Sequence, residues 1–390
     1  MNTSFSITEY QPDVETWRKD FHQNPELGFD TFETSRKVAA FLTEFGCDEV
    51  VTGIGQTGVV GVIHGAKSDS GKVIGLRADM DALPIQEASD FEHASKKLGV
   101  MHACGHDGHM AVLLSAARFL CQSRAFNGTV VVIFQPAEET GGGANAMLED
   151  GLVTRFGVQE VYGLHNFPGM PVGQFAICEG PMLAAVEEFK ITVRGHGGHA
   201  GQPNTIVDTI LIASQIVVTL QTVVSRNMDP TDAAVLSVTS IDTGKQCYNV
   251  VPEKVELSGA IRSLTKESSA LMKRAAKRLV KGTASAMGAR AEIEFFPGFP
   301  ATVNRKAQTE FAAGVAADVV GDANVIRNIN PVMASEDFGC MLEKIPGAFI
   351  FLGNGFSAPL HHPNYDFNDF SIVFGTSYWT RLVEKAMPLR

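Results

Sequence analysis

Residues able to hold a metal ion stand on both sides of a central block whose strand and helix rhythm differs from the rest of the chain. No other feature constrains the fold as tightly. Before the block, Met101-His102-Ala103-Cys104-Gly105-His106-Asp107-Gly108-His109 packs one cysteine, three histidines and an aspartate into nine residues. Phe134 to Glu139 ends in paired glutamates, and Gly163-Leu164-His165-Asn166 adds a histidine. After the block, Leu360-His361-His362-Pro363 adds more. A lone histidine is ordinarily a hydrogen-bonded core or surface residue. Four clusters at the ends of strand-like runs read instead as a ligand set, and thiolate with imidazole suits Zn²⁺ and its late first-row neighbours.

The flanking sequence alternates strands with helices. Thr31 to Phe45 places Phe32, Val38, Phe41, Leu42 and Phe45 at helical spacing and stops at Gly46. Strand-like runs cover Gly58 to Ile63, Lys72 to Leu76, Thr129 to Phe134 and Val158 to Leu164, with a helix pattern at Met110 to Gln122. This predicts an α/β/α sandwich with a largely parallel sheet, whose chemistry lies just beyond strand C-termini. Asp79 and Asp81, Glu138 and Glu139, and His165 fall there. The central block reads strand (Glu188 to Arg194), helix (Thr205 to Ser225), strand (Ala233 to Ile241), strand (Lys254 to Ser263), helix (Lys266 to Met287), strand (Arg290 to Phe296). That βαββαβ order describes a ferredoxin-like domain. Since ligand candidates flank it, residues 187–297 form an insertion, and residues 1–186 and 298–390 are expected to fold together as the metal domain. A chain of 390 residues with 45% hydrophobic content is long enough for two cores.

The net charge of −11 argues against nucleic acid or an anionic membrane as partner. Six cysteines without framework spacing point to reduced thiols and a cytoplasmic location. The N-terminus lacks a basic start followed by an apolar block, so no signal peptide is expected. The most apolar stretch, Ile206 to Val224, carries Asp208, Thr209, Ser214, Gln215 and Gln221 and reads as a buried amphipathic helix rather than a membrane span. Gly53-Ile54-Gly55-Gln56-Thr57-Gly58 has the glycine spacing of a dinucleotide loop, but Val59 to Ile63 continues as a strand where that loop needs a helix; a hairpin-type turn is expected. No Gly-x-Ser-x-Gly nucleophile elbow occurs.

Eight motifs in one order carry a resemblance that runs nearly end to end. They are His22 to Gly28 (HQNPELG), Arg77 to Pro84 (RADMDALP), Met101 to His109, Gln135 to Glu139, Gly163 to Asn166, Gly195 to Pro203 (GHGGHAGQP), Ala334 to Phe338 (ASEDF) and Leu360 to Asp369. With them the chain resembles the di-metal aminoacylase and carboxypeptidase superfamily, in the branch of hippurate hydrolases, N-acetyldiaminopimelate deacetylases and plant auxin-conjugate hydrolases. The resemblance implies two divalent metal ions per subunit, Zn²⁺ or else Mn²⁺, Co²⁺ or Ni²⁺, held by Cys104, His106, Glu139, His165 and His361. The branch pattern Leu-His-x-Pro selects His361, with His362 the alternative. His102 and His109 read as supports of the metal loop, Asp79, Asp81 and Asp107 as acceptors for backbone or histidine N–H groups, and His22 and Glu26 as structural.

The implied activity is metal-dependent hydrolysis of a linear amide, the acyl bond of an N-acyl amino acid, with a dipeptidase or carboxypeptidase as the alternative on the same centre. Adjacent carboxylates on an extended or turning segment point in different directions, so Glu139 can bind metal while Glu138 serves as general base and acid. The resemblance assigns His199 to the oxyanion, delivered by the partner subunit of a homodimer formed through the inserted lid domain. It matches Asn249 and Arg262 to positions that contact the substrate's free carboxylate, which a guanidinium grips bidentately.

Overall fold

The computed structural model describes residues 11–244 and 247–389; the first ten residues, on which part of the signal-peptide expectation rests, lie outside them. The chain divides into two compact units. One combines the segment ending at Met182 with Thr302–Asn330 and the segment from Asp337 onward; the other is Leu183–Ala301 with Pro331–Glu336. The expected division leaves 331–336 with the first and larger part. These residues join the second unit because Leu183 bridges Val332, Ala184 donates to Ala334 O at 2.8 Å and Arg262 donates to Met333 O at 2.9 Å.

The first unit is built on an eight-stranded sheet in the order Glu49–Ile54, Gly58–His64, Thr129–Gln135, Val73–Asp79, Glu160–Phe167, Gly347–Gly353, Phe175–Ala176, Val325–Ile326. Its middle four strands are parallel, and antiparallel pairings flank them on both sides. The sheet is therefore mixed. The parallel strands read as unbroken apolar runs because both faces are covered; Val130 to Phe134 and Phe349 to Leu352 are wholly or almost wholly buried. The helix His106–Ser123 is buried over most of its length and packs against Gln11–Gln23, Phe32–Phe45 and Ser371–Ala386. Gly53 to Gly58 is a hairpin turn: Glu49–Ile54 pairs antiparallel with Gly58–His64, and Gly55 and Gln56 take positive φ.

The second unit holds a four-stranded antiparallel sheet in the order Ala234–Asp242, Lys254–Ser263, Ala185–Arg194, Arg290–Pro297. The helices Thr209–Asn227 and Lys266–Ala286 complete the βαββαβ order. Thr209–Asn227 is long and apolar enough to cross a membrane by length and composition. In the structure its Ile212, Ala213, Ile216, Leu220 and Val223 share a core with Ile191, Val193, Leu257 and Met272. Asp208 caps it, accepting from the N–H groups of Ile210 and Leu211.

Candidate metal centre

Val73–Asp79, Thr129–Gln135 and Glu160–Phe167 are parallel neighbours, so their carboxyl ends emerge on one edge of the sheet. The helix His106–Ser123 starts at that edge, four residues before the start expected from its pattern. Gly105 makes the early start possible. It sits at φ +90°, and a Cβ there would stand 2.4 Å from Asn166 Nδ2 and 2.5 Å from Tyr365 Oη. Cys104 and His106 thus flank a position open only to glycine. After Gln135 the chain turns through Ala137, at φ +53°, and one carboxylate pins the next two residues: Asp81 accepts from Glu138 N at 2.9 Å and Glu139 N at 3.0 Å.

Three imidazoles have their orientation or backbone fixed. His106 Nδ1 donates to Asp81 O at 2.7 Å, and its buried Nε2 has no hydrogen-bond partner. His165 Nδ1 donates to Asn166 O at 2.7 Å, leaving Nε2 3.5 Å from Cys104 Sγ. His361, at φ +63°, donates its backbone N–H to Ala103 O at 2.8 Å and brings Nε2 to 3.2 Å from Glu139 Oε1. That contact is close without being a well-formed hydrogen bond, since Glu139 Oε1 is buried and unsatisfied. Cys104, Glu139 and His361 present ligand atoms within 4.8 Å of one another, as do His106, Glu138 and Glu139. Glu139 therefore belongs to both groups. His362 turns into its own loop, where Nδ1 accepts from Asn364 N at 3.1 Å.

Asp79 and His109 lie equally close to His106 and His165, yet both are already engaged. His109 Nδ1 donates to Asp79 Oδ1 at 2.6 Å, and its Nε2 accepts from Asn166 N at 3.0 Å. The other oxygen of Asp79 accepts from Arg77 at 2.8 Å. Both ring nitrogens of His109 and both carboxylate oxygens of Asp79 thus have protein partners. Asn166 and Tyr365 are not singled out by sequence reading, although both stand inside motifs of the resemblance. Asn166 Nδ2 donates to Cys104 O at 2.7 Å, and Tyr365 donates to Asn166 Oδ1 at 2.7 Å. Arg77, Gln135 and Asp337 form a further buried network behind Asp79.

The electrostatics are those of a trap for positive charge. Burial alone would lower the His106 pKa, but Asp79, Asp81 and Glu139 outweigh it and push it up to about 10. Burial pushes the Cys104 thiol well up, with Glu139, Glu138 and Asp79 adding to the effect, so its thiolate needs a cation beside it. His165 is held neutral, chiefly by burial and then by its histidine neighbours, with its Nε2 lone pair available. For Glu139, burial is outweighed by His361 close beside it and by the charge of His106, and the carboxyl is lowered.

The three other predicted residues belong to the second unit. His199 is exposed, its Nδ1 accepting from Gly201 N at 3.0 Å. The short pairing of Gly198–His199 with Val250–Val251 puts it beside Asn249, whose carbonyl accepts from Ala200 N at 2.9 Å. Arg262 lies at the far end of Lys254–Ser263 and donates to Met333 O at 2.9 Å and to Ser335 Oγ at 3.4 Å.

The donor set fits a metal centre by its own chemistry, since soft sulfur, imidazole nitrogen and carboxylate oxygen converge where buried His106 Nε2 and Glu139 Oε1 lack protein partners. The chain is 42% identical over 385 residues to the hippurate hydrolase of Campylobacter jejuni, covering 99% of both chains. It is 40% identical over 366 residues to the N-acetylcysteine deacetylase of Bacillus subtilis, covering 94% of each. Among solved structures it superposes on a Bacillus subtilis protein described as a dinuclear metal binding peptidase, with TM-score 0.85 and 34% identity over 97% of this chain and 99% of that one. The model of peptidase family M20/M25/M40 matches residues 75–385, and the chain belongs to that family.

Proposed function

We propose that the protein is a metal-dependent amidohydrolase that cleaves the amide of N-acyl amino acids, hippurate-like or N-acetylated, to a carboxylate and a free amino acid. The observation that carries the reading is the pair of glutamates after Gln135. Glu139 turns an unsatisfied oxygen into the ring of Cys104, His106 and His361, while Glu138, adjacent and buried, lies with His106 and Glu139. Two divalent ions held by Cys104, His106, Glu139, His165 and His361 would supply Lewis acidity, polarising the amide carbonyl and making water acidic enough to ionise near neutral pH.

The chain's own groups do the rest. Glu138 takes the proton of the attacking water and hands it to the departing nitrogen, so that the amine leaves neutral. Asp81 holds Glu138 in register by binding the N–H groups of both glutamates. His199 stabilises the oxyanion by hydrogen bonding, Arg262 grips the carboxylate of the leaving amino acid, and Asn249 assists it. We place His199 in the active site of a partner copy, in a homodimer formed through the second unit. Ala234–Asp242 is an edge strand of that unit's sheet, and a second copy would cover it. The six cysteines are free thiols, in keeping with a reducing cytoplasm.

A panel of benzoyl, acetyl and longer acyl amino acids beside unblocked dipeptides, assayed on metal-reconstituted protein, tests the function. Turnover of the acyl amino acids alone supports it; preference for free dipeptides would replace it with a peptidase. Mixing inactive Glu138→Gln and His199→Ala chains tests the shared site. Recovery toward about a quarter of wild-type activity on random exchange supports sharing, and none in proven heterodimers refutes it.

A further inference from the structure

On the first unit, away from the metal ligands, two thiols face each other. Cys47 follows the helix Phe32–Phe45, and Cys121 lies in the last turns of His106–Ser123; their sulfurs are 3.6 Å apart across 74 residues of sequence. Both are free, Cys121 buried and Cys47 half-buried. We propose that Cys47 and Cys121 are a modification site that a peroxide closes to an intramolecular disulfide.

The contact is built. Gly46 ends the preceding helix in the left-handed region at φ +84°, and Cys47 N donates to Leu42 O at 3.1 Å. Arg124, itself at φ +44° where His106–Ser123 ends, straddles Cys47. It donates to Gly46 O at 2.8 Å on one side and to Asp48 Oδ2 at 2.6 Å on the other, and to His64 O at 2.7 Å. Asp48 N donates to Val62 O at 2.8 Å. The backbone on both sides of the pair is thereby tied, and the two sulfurs have some 1.5 Å to close to reach the disulfide bond length of about 2.05 Å.

The surroundings also favour reaction here. Either sulfur can donate to the other; with Cys47 as donor, that hydrogen bond and the charge of Arg124 hold Cys121 below the usual thiol range, while the same bond and burial push Cys47 up. Burial raises Cys104 and Cys178 instead. A thiolate is the nucleophile toward peroxide. One thiolate sulfur attacks the O–O bond, which breaks to give a sulfenic acid and release hydroxide. The second sulfur attacks the sulfenic sulfur, forming S–S and expelling the oxygen as water. Two thiols are oxidised and one hydrogen peroxide is reduced to two waters.

The test treats the full metal-loaded chain with a small excess of hydrogen peroxide, then unfolds it in chelator and alkylates. The expected result is a mass loss of about 2 Da, two fewer alkylatable thiols than the chain's six, and one cross-linked peptide joining Cys47 to Cys121, all reversed by dithiothreitol. Cys47→Ser and Cys121→Ser should each abolish the cross-link and retain hydrolase activity. Recovery of Cys47 and Cys121 as separate alkylated or sulfinic residues while oxidation proceeds elsewhere would overturn the proposal. So would a cross-link to another cysteine. Because the wild-type peptide map decides by itself, a variant that fails to fold does not blunt the test.

Discussion

Two neighbouring residues, His106 and Asp107, begin one helix and enter two buried polar clusters that the protein treats in opposite ways. Asp107 Oδ2 meets His22 Nδ1 at 2.8 Å and Arg18 at 3.4 Å, and Arg18 also binds Asp366 and Asp369, each at 2.8 Å. The chain brings its own cations to these carboxylates. Burial opposes ionisation of Asp107, yet His22 and Arg18 hold it well below the usual carboxylate range. His102 beside it is neutral, pushed down to about 3 chiefly by burial. Unpaired buried atoms occur in both clusters, Asp107 Oδ1 and the two His102 nitrogens in the first, His106 Nε2 and Glu139 Oε1 in the second. Around His106, however, the Cys104 thiol and the carboxylates of Glu138 and Glu139 crowd together. The same residue types make a structural ion-pair network on one side and a site for an external cation on the other. Whether the protein supplies the counter-charge is what separates them.

The largest expected effect breaks the open side. Removing metal with a chelator should abolish activity, and Glu139→Gln should lose metal and rate together. Glu138→Gln keeps shape without basicity, so metal should remain while the rate falls roughly 10² to 10⁴-fold. Elemental analysis beside kcat separates the two. If Glu138→Gln lost metal and Glu139→Gln kept it, the roles of the pair would have to be exchanged.

Much of this contrast is legible in the sequence, and the illegible part has physical causes. The clusters that contain Cys104, His106, Glu139, His165 and His361 are legible because metal ligation restricts residue type, while the choice of these five as ligands rests on the resemblance. Lys254–Ser263 is legible to the residue because alternation on a half-buried antiparallel strand is unambiguous. The pattern starts His106–Ser123 late because Gly105 stands where a capping side chain would otherwise announce the helix, and no side chain caps it. Gly347–Gly353, a fully buried central strand, is missing from the sequence reading although its run Ala348 to Leu352 is visible. Glu26 reads as structural, but the sequence shows no mechanism. In the fold its carboxylate accepts from Thr34 N and Oγ1 at the start of Phe32–Phe45. The partners of Arg18 are beyond reach, since Asp366 and Asp369 lie about 350 residues away and no local pattern links them.

Arg18 offers the next test, on the closed side. Arg18→Met keeps much of the stem's packing but leaves Asp107, Asp366 and Asp369 without their shared cation. Breaking a buried pair from one side costs about 3–5 kcal/mol, readable as a lower urea midpoint at unchanged slope. Metal content per folded chain should stay the same. A variant of full stability that had lost its metal would show that the two clusters are one site.

The smallest effect is a pH dependence belonging to the closed side alone. Burial would lower the His22 pKa, but Asp107 and the hydrogen bond to Glu87 outweigh it and raise it to about 9, against 6.5 for the free imidazole. A group whose folded pKa is raised stabilises the fold fully below its unfolded pKa and loses that contribution as pH climbs to the folded value. The contribution of the His22 proton should thus be complete below pH 6.5 and fade between 6.5 and 9, by about 3 kcal/mol in all. Asp107 stays ionised throughout this window and adds no slope of its own. The measurement is the difference in unfolding free energy between wild type and His22→Gln, both saturated with the same metal, so that proton release on metal binding cancels. That difference should shrink steadily from pH 6.5 to 9. A difference flat in pH would mean that His22 is neutral in the fold and that Arg18 alone answers Asp107.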